Sequence, residues 1–153
     1  MSVDRADPSW TSGDELSALF EAARLARERA YAPYSRFKVG AALATSGGAV
    51  FAGCNVENAA SPVGTCAEAG AIAAMVAAGE TRIAAMLVLG NGEALVTPCG
   101  ACRQRIREFA PSDALIHIAD LNGIRRSFRA DELLPASFGP ANLGCHERRD
   151  AEP

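Results

Sequence analysis

Two short stretches hold most of the residues that could do chemistry: Cys66-Ala67-Glu68 and Pro98-Cys99-Gly100-Ala101-Cys102. Two thiols separated by two residues at the start of a helix can bind one metal ion from the same side; a redox Cys-x-x-Cys is the rival reading. Cys66 opens another helix and is the strongest third ligand. The other candidates are Cys54, Cys145, His117 and His146. Cys54 lies in a strand, where a buried cysteine is ordinarily inert. His117 alternates with apolar neighbours, as a hydrogen-bonded structural residue would, and Cys145 and His146 fall in a tail. A structural zinc site takes four protein ligands, whereas three thiolates leave one position open for water, the arrangement of a catalytic site. The metal eases loss of that water's proton, so the site needs a proton shuttle. Glu68 shares the first helical turn with Cys66 and can take the proton without binding the metal. Alone, an acid there would read as a charge answering the helix dipole. The three cysteines around it reverse that preference.

Several elements must position these residues. Ser12-Gly13-Asp14-Glu15 has capping-box spacing, and Leu16, Leu19, Phe20, Ala23, Ala26 and Ala30 share one face, which predicts a helix over residues 12–30. Residues 37–45 and 50–56 read as strands joined in a hairpin by Ser46-Gly47-Gly48. Residues 65–78 read as a helix ending at Gly79, apolar nearly all round and therefore buried. Residues 83–89 are apolar throughout, as a central strand covered on both faces would be. A helix over 99–109, strands over 114–119 and 124–128 around Asn122-Gly123, and a short helical turn over 131–134 complete the order. This α-β-β-α-β-α-β-β sequence predicts an α/β fold, a three-layer α/β/α sandwich with a mixed five-stranded sheet. Both cysteine clusters then stand at helix N-termini, whose partial positive charge favours thiolates. The expected division is a polar N-terminal tail over 1–11, a single domain over 12–138 and a C-terminal tail over 139–153.

Composition excludes several classes. The chain has 153 residues, 49% hydrophobic and 22% charged, as one globular domain would. A net charge of −3 offers no basic face for a polynucleotide. No apolar run has the length of a membrane span, and the polar, acidic N-terminus lacks the apolar region of a secretion signal. Five cysteines, an odd number, point to reduced thiols and a cytoplasmic location rather than a disulfide framework.

Cys66-Ala67-Glu68 together with Pro98-Cys99-Gly100-Ala101-Cys102-Arg103-Gln104 resembles the zinc-dependent cytidine deaminases. Tyr34-Ser35-x-Phe37-x-Val39-Gly40-Ala41-Ala42, Asn55-Val56-Glu57-Asn58 and Leu133-Leu134-Pro135-x-x-Phe138-Gly139-Pro140 resemble further segments of their small single-domain form, in matching order. The resemblance covers roughly residues 14–143. Zinc deaminases as a class use a metal-held water and a glutamate that is not a ligand. The resemblance therefore implies one Zn²⁺ on Cys66, Cys99 and Cys102, with Glu68 as general acid/base. It implies that Asn55 and Glu57 hold the ribose hydroxyls, that Phe37 lines the nucleoside pocket, and that the Ala67 N–H contacts the base. Phe138 would stack on the base from a neighbouring subunit, in a homotetramer with shared sites. The implied reaction is hydrolysis of cytidine and deoxycytidine to uridine and deoxyuridine with release of ammonia, a step of pyrimidine salvage.

Two departures bear on that reading. The family usually has an arginine after Cys-Ala-Glu that hydrogen-bonds to the thiolates, and this chain has Ala69. Arg103 or the two helix N-termini are the candidates to compensate the charge. Ser61 stands where the family often has a tyrosine. The alternatives are a deaminase of another aminopyrimidine, such as a modified cytidine or a blasticidin-like antibiotic, a deaminase of polynucleotide, and a non-catalytic zinc module. Blasticidin-type enzymes also lack the arginine, but they do not keep Asn-x-Glu-Asn. The acidic balance opposes a polynucleotide substrate.

Overall fold

The structure is a computed structural model that describes residues 10–145. Helix α1 (Gly13–Glu28) begins at Ser12, whose hydroxyl accepts from the Glu15 N–H while the Glu15 carboxylate accepts from the Ser12 N–H. Strands β1 (Gly40–Thr45) and β2 (Val50–Cys54) form the expected hairpin. Helix α2 (Ala67–Ala77), strand β3 (Ile83–Leu89), helix α3 (Gly100–Phe109), strands β4 (Leu115–Asp120) and β5 (Gly123–Arg129) and the short helix α4 (Ala130–Leu133) follow. The five strands run in the order β2-β1-β3-β4-β5, with β3 and β4 parallel and the other neighbours antiparallel. No helix among the described residues is long and apolar enough to cross a membrane.

The strand period of two separates the core into two faces. From β1, Ala42 and Ala44 join Leu19 and Ala23 of α1, with Leu87 and Leu89 of β3. Ala41 and Leu43 point the other way, onto Ala71, Ile72 and Met75 of α2 and toward Ile106 of α3. The result is the three-layer α/β/α sandwich, with both cysteine-bearing helices on one face. Gly53 sets how closely α2 approaches. A Cβ there would lie 2.4 Å from the Ala71 nitrogen and 2.5 Å from the Ala67 carbonyl oxygen. Any side chain at that position would lift the first turns of α2, and Glu68 with them.

Four expectations need correction. The β1 ladder starts at Gly40, because the backbone of residues 37–39 bonds to the Asn55 side chain and Arg36 sits at φ 58°. The β2 ladder ends at Cys54, and Val56 instead bridges Thr65. Trp10, inside the expected polar tail, is buried on the α1 face of the sheet. Helix α2 is buried on one side only: Ala73, Ala74, Val76 and Ala77 form an exposed apolar stripe. Beyond Gly139, the residues placed in the C-terminal tail include a 3₁₀ turn over Pro140–Leu143.

Candidate active site

Cys66 and Cys99 are the N-cap residues of α2 and α3, each with extended backbone, and Cys102 lies in the first turn of α3. Two helix starts therefore converge on one point. The three Sγ atoms lie within 4.8 Å of one another, with Cys66 and Cys99 3.8 Å apart, and all three thiols are free. Thiolates held at a zinc–sulfur distance of ~2.3 Å around a tetrahedral ion would themselves be ~3.8 Å apart, so this donor set fits zinc. The redox reading accounts for two of these sulfurs and leaves Cys66 unexplained.

Burial grades the cluster: Cys102 is buried, Cys66 half-buried and Cys99 exposed. Burial pushes the Cys102 thiol far up, and the nearby Glu68 carboxylate and other thiols add to it. Burial also raises Cys66. At Cys99 burial opposes the charge, but the Cys102 backbone N–H and the two neighbouring thiols outweigh it, and the group lies below the ordinary thiol range. Without a cation, two of the three sulfurs thus resist ionisation.

Glu68, the second residue of α2, is 4% exposed. A charge placed to answer a helix dipole stands in water, because burying an unpaired carboxylate is costly. This one is buried against thiols, as a proton carrier at the centre would be. The Ala67 N–H stands at the first position of α2 and lacks an intrahelical partner. Arg103 is not hydrogen-bonded to the thiols, as a compensating cation beside them would be. Its guanidinium donates to the Pro98 carbonyl at 2.8 Å, the Leu133 carbonyl at 2.9 Å and Thr97 Oγ1 at 3.0 Å. The two helix N-termini remain for that role.

Of the residues expected to hold the nucleoside, Asn55 and Glu57 flank Val56, which pairs with the chain entering Cys66. Paired bonds of 2.9 Å between Val56 and Thr65 tie the 55–57 segment to the chain entering Cys66. Asn55 accepts from the Val39 N–H and donates to the Phe37 carbonyl, both at 2.8 Å, leaving one amide N–H uncommitted. Glu57 accepts from the Tyr34 and Ser35 N–H groups and from the Ser35 hydroxyl. The Ser35 hydroxyl, followed by those backbone N–H groups, holds this carboxyl below its ordinary range. Ser35 Oγ also accepts from the Phe37 N–H at 3.0 Å. Ser35 thus joins the candidate site through Glu57; sequence reasoning assigned it no role, although Tyr34-Ser35-x-Phe37 is among the recognisable motifs. Phe37 is 43% exposed and Phe138, on the loop after α4, is 59% exposed.

The other candidate ligands do not join. Cys54 and Cys145 lie outside the cluster, and His117 is buried with its Nδ1 2.7 Å from Ser127 Oγ. His146 lies outside the described residues. An open cleft of about 630 Å³, lined by Arg107, Arg129, Asp131 and residues 134–137, contains none of the thiols.

Residues 14–118 match the family model of the cytidine and deoxycytidylate deaminase zinc-binding region. The chain is 38% identical over 129 residues to the cytidine deaminase of Sporosarcina psychrophila, covering 84% of this chain and 95% of the relative. It is 41% identical over 120 residues to that of Halalkalibacterium halodurans, covering 78% and 91%. Among solved structures it is similar to the cytidine deaminase from Burkholderia pseudomallei, with 47% identity, a TM-score of 0.76 and coverage of 80% and 98%.

Proposed function

The chain belongs to the cytidine and deoxycytidylate deaminase family, and on that premise we propose that it hydrolyses cytidine and deoxycytidine to uridine and deoxyuridine, releasing ammonia. The observation that carries this reading is the convergence of three cysteine sulfurs on one point beside the buried Glu68.

Cys66, Cys99 and Cys102 would hold zinc, which when bound supplies Lewis-acid activation of a water molecule. Glu68 accepts a proton from the attacking water, delivers it to N3 of the cytosine ring and then assists departure of the exocyclic amine. The Ala67 N–H and the two helix starts favour the negative charge that develops on the oxygen adding to C4 of the base. Asn55, through its uncommitted N–H, and Glu57, kept anionic by Ser35, hold sugar hydroxyls, and Phe37 lines the pocket. Phe138 stacks on the base of a neighbouring copy. The exposed Phe37 and Phe138 rings and the apolar stripe of α2 are what association into a homotetramer with shared sites would cover. The catalytic unit is a single domain that includes the buried Trp10, working in the cytoplasm in pyrimidine salvage.

The test is ammonia release from cytidine by the purified, zinc-replete protein. Brisk release establishes the reaction and shows Ala69 and Ser61 to be tolerated. Folded, zinc-bearing protein without release would refute it. A non-catalytic zinc module is less well supported, since no fourth donor joins the three sulfurs among the described residues.

A further inference from the structure

Helix α3 presents Cys99 and Cys102 at its start, and its next donors all reach one short segment. Arg103 donates to the Leu133 carbonyl at 2.9 Å, Gln104 to the Phe138 carbonyl at 3.0 Å, and Arg107 Nε to Ser137 Oγ at 3.1 Å. Residues 103 and 107 are one turn apart, so these donors share a side of the helix. The segment they hold has little structure of its own. Among the described residues, 135–138 belong to no helix or strand, and Pro135-Ala136 form a turn. Ala136 has a φ of 52°, which is unfavourable for a residue with a Cβ. Arg107 also crosses directly over Gly139. A Cβ there would lie 2.8 Å from Arg107 Nη2 and 2.9 Å from its Cζ. The backbone around Phe138 is therefore fixed from both sides while its ring stays exposed.

We propose that Arg107, assisted by Gln104, is a positioning residue for substrate binding: it latches residues 137–139 onto α3, so that the helix carrying one copy's metal ligands also carries the aromatic ring offered to the base. The inference rests on the reading of Phe138 as the base-stacking residue. Without the latch, the ring keeps its chemistry but loses its fixed position. The cost then falls on binding of the base, while proton transfer at Glu68 is untouched.

A double-mutant cycle with cytidine, on the zinc-loaded full chain, tests this. Phe138→Ala is expected to raise KM about five- to hundredfold, the range for losing a base–aromatic stack. Arg107→Ala is expected to raise KM roughly three- to tenfold, with kcat within about twofold and zinc content unchanged. The double variant should be no worse than Phe138→Ala alone, because the latch then has nothing to position. Effects that multiply, or a joint loss of zinc and kcat in Arg107→Ala, would mark a merely structural residue and overturn the proposal. An unchanged KM in Phe138→Ala overturns it as well, by removing its premise, while cytidine turnover in that variant would leave the proposed reaction standing. If Arg107→Ala does not fold, Ser137→Ala deletes the same hydrogen bond from the other side, and the cycle is read with that variant.

Discussion

The thiol centre and the proposed nucleoside rim are built by different means. At the centre, Cys66, Cys99, Cys102 and Glu68 stand on the first turns of two packed helices, and every group comes from this one chain. Helix geometry and core packing position them. At the rim, Phe37, Asn55, Glu57 and Phe138 stand on loops, and two of the four are exposed rings. Hydrogen bonds between polar side chains and backbone shape these loops. The contrast fits the division of labour proposed for the two regions. Bond-breaking requires a few groups held rigidly with little tolerance. Recognition requires a surface that a substrate, or another copy of the chain, can still cover.

If the two regions are as separate as this, a change at the centre should abolish turnover and leave folding and metal intact. Glu68→Ala removes the proton carrier but no ligand and no capping group. Its kcat on cytidine is expected to fall by at least about 10³-fold, toward the upper end of what general acid–base catalysis contributes. Zinc content, by metal analysis, should match that of the parent. Retention of a tenth of the activity would assign the proton transfer to another group.

A smaller effect concerns loading of the centre. Cys66 and Cys102 are both pushed upward by burial, Cys102 further, so both are protonated in the metal-free protein near neutral pH. Zinc binds thiolates, so loading must release those protons. The sign is then set: affinity rises with pH below the thiol pKa values and falls on acidification. About a tenfold change per pH unit is expected for each thiol still protonated, and Cys99, whose pKa is lowered, contributes least. Competition with a chelator between pH 6 and 8 measures the slope. A flat profile would mean that the sulfurs are already ionised, and that the helix N-termini compensate more charge than burial opposes.

The centre was the more legible region in sequence, for a physical reason. An N-cap, a turn, an apolar run and a Cys-x-x-Cys are local signals, so α2, β3, α3 and the three ligands could be read from neighbouring residues. What escaped is held together over distance. Residues 37–39 look like strand, yet Asn55 captures their backbone from 16 and 18 positions away. Trp10 sits in a polar stretch, and only the α1 face of the sheet buries it. Arg103 follows a ligand cysteine and looked available to the thiolates, but the carbonyl of Leu133, 30 residues on, takes part of its guanidinium. The alanine-rich composition of α2 shows an apolar helix without showing which side another chain could cover.

The smallest predicted effect sharpens the comparison most. Ser35 makes no hydrogen bond to the thiols or Glu68; its hydroxyl donates to Glu57 and accepts from the Phe37 N–H. Ser35→Ala removes the main group that holds Glu57 anionic and one anchor of the Phe37 loop, while the Tyr34 and Ser35 N–H groups still reach the carboxylate. With two of three anchors retained, the loss is expected to be modest: KM for cytidine up about three- to tenfold, as for one hydrogen bond to a partly solvated charge. Since Glu57 is assigned to the sugar, turnover of free cytosine, which has none, should lose much less than that of cytidine. Equal losses on the nucleoside and the free base would mean that Ser35 supports the pocket as a whole. A fall in kcat with zinc content unchanged would be more damaging. It would show that the 34–39 loop reaches into proton transfer, and that rim and centre work as one unit.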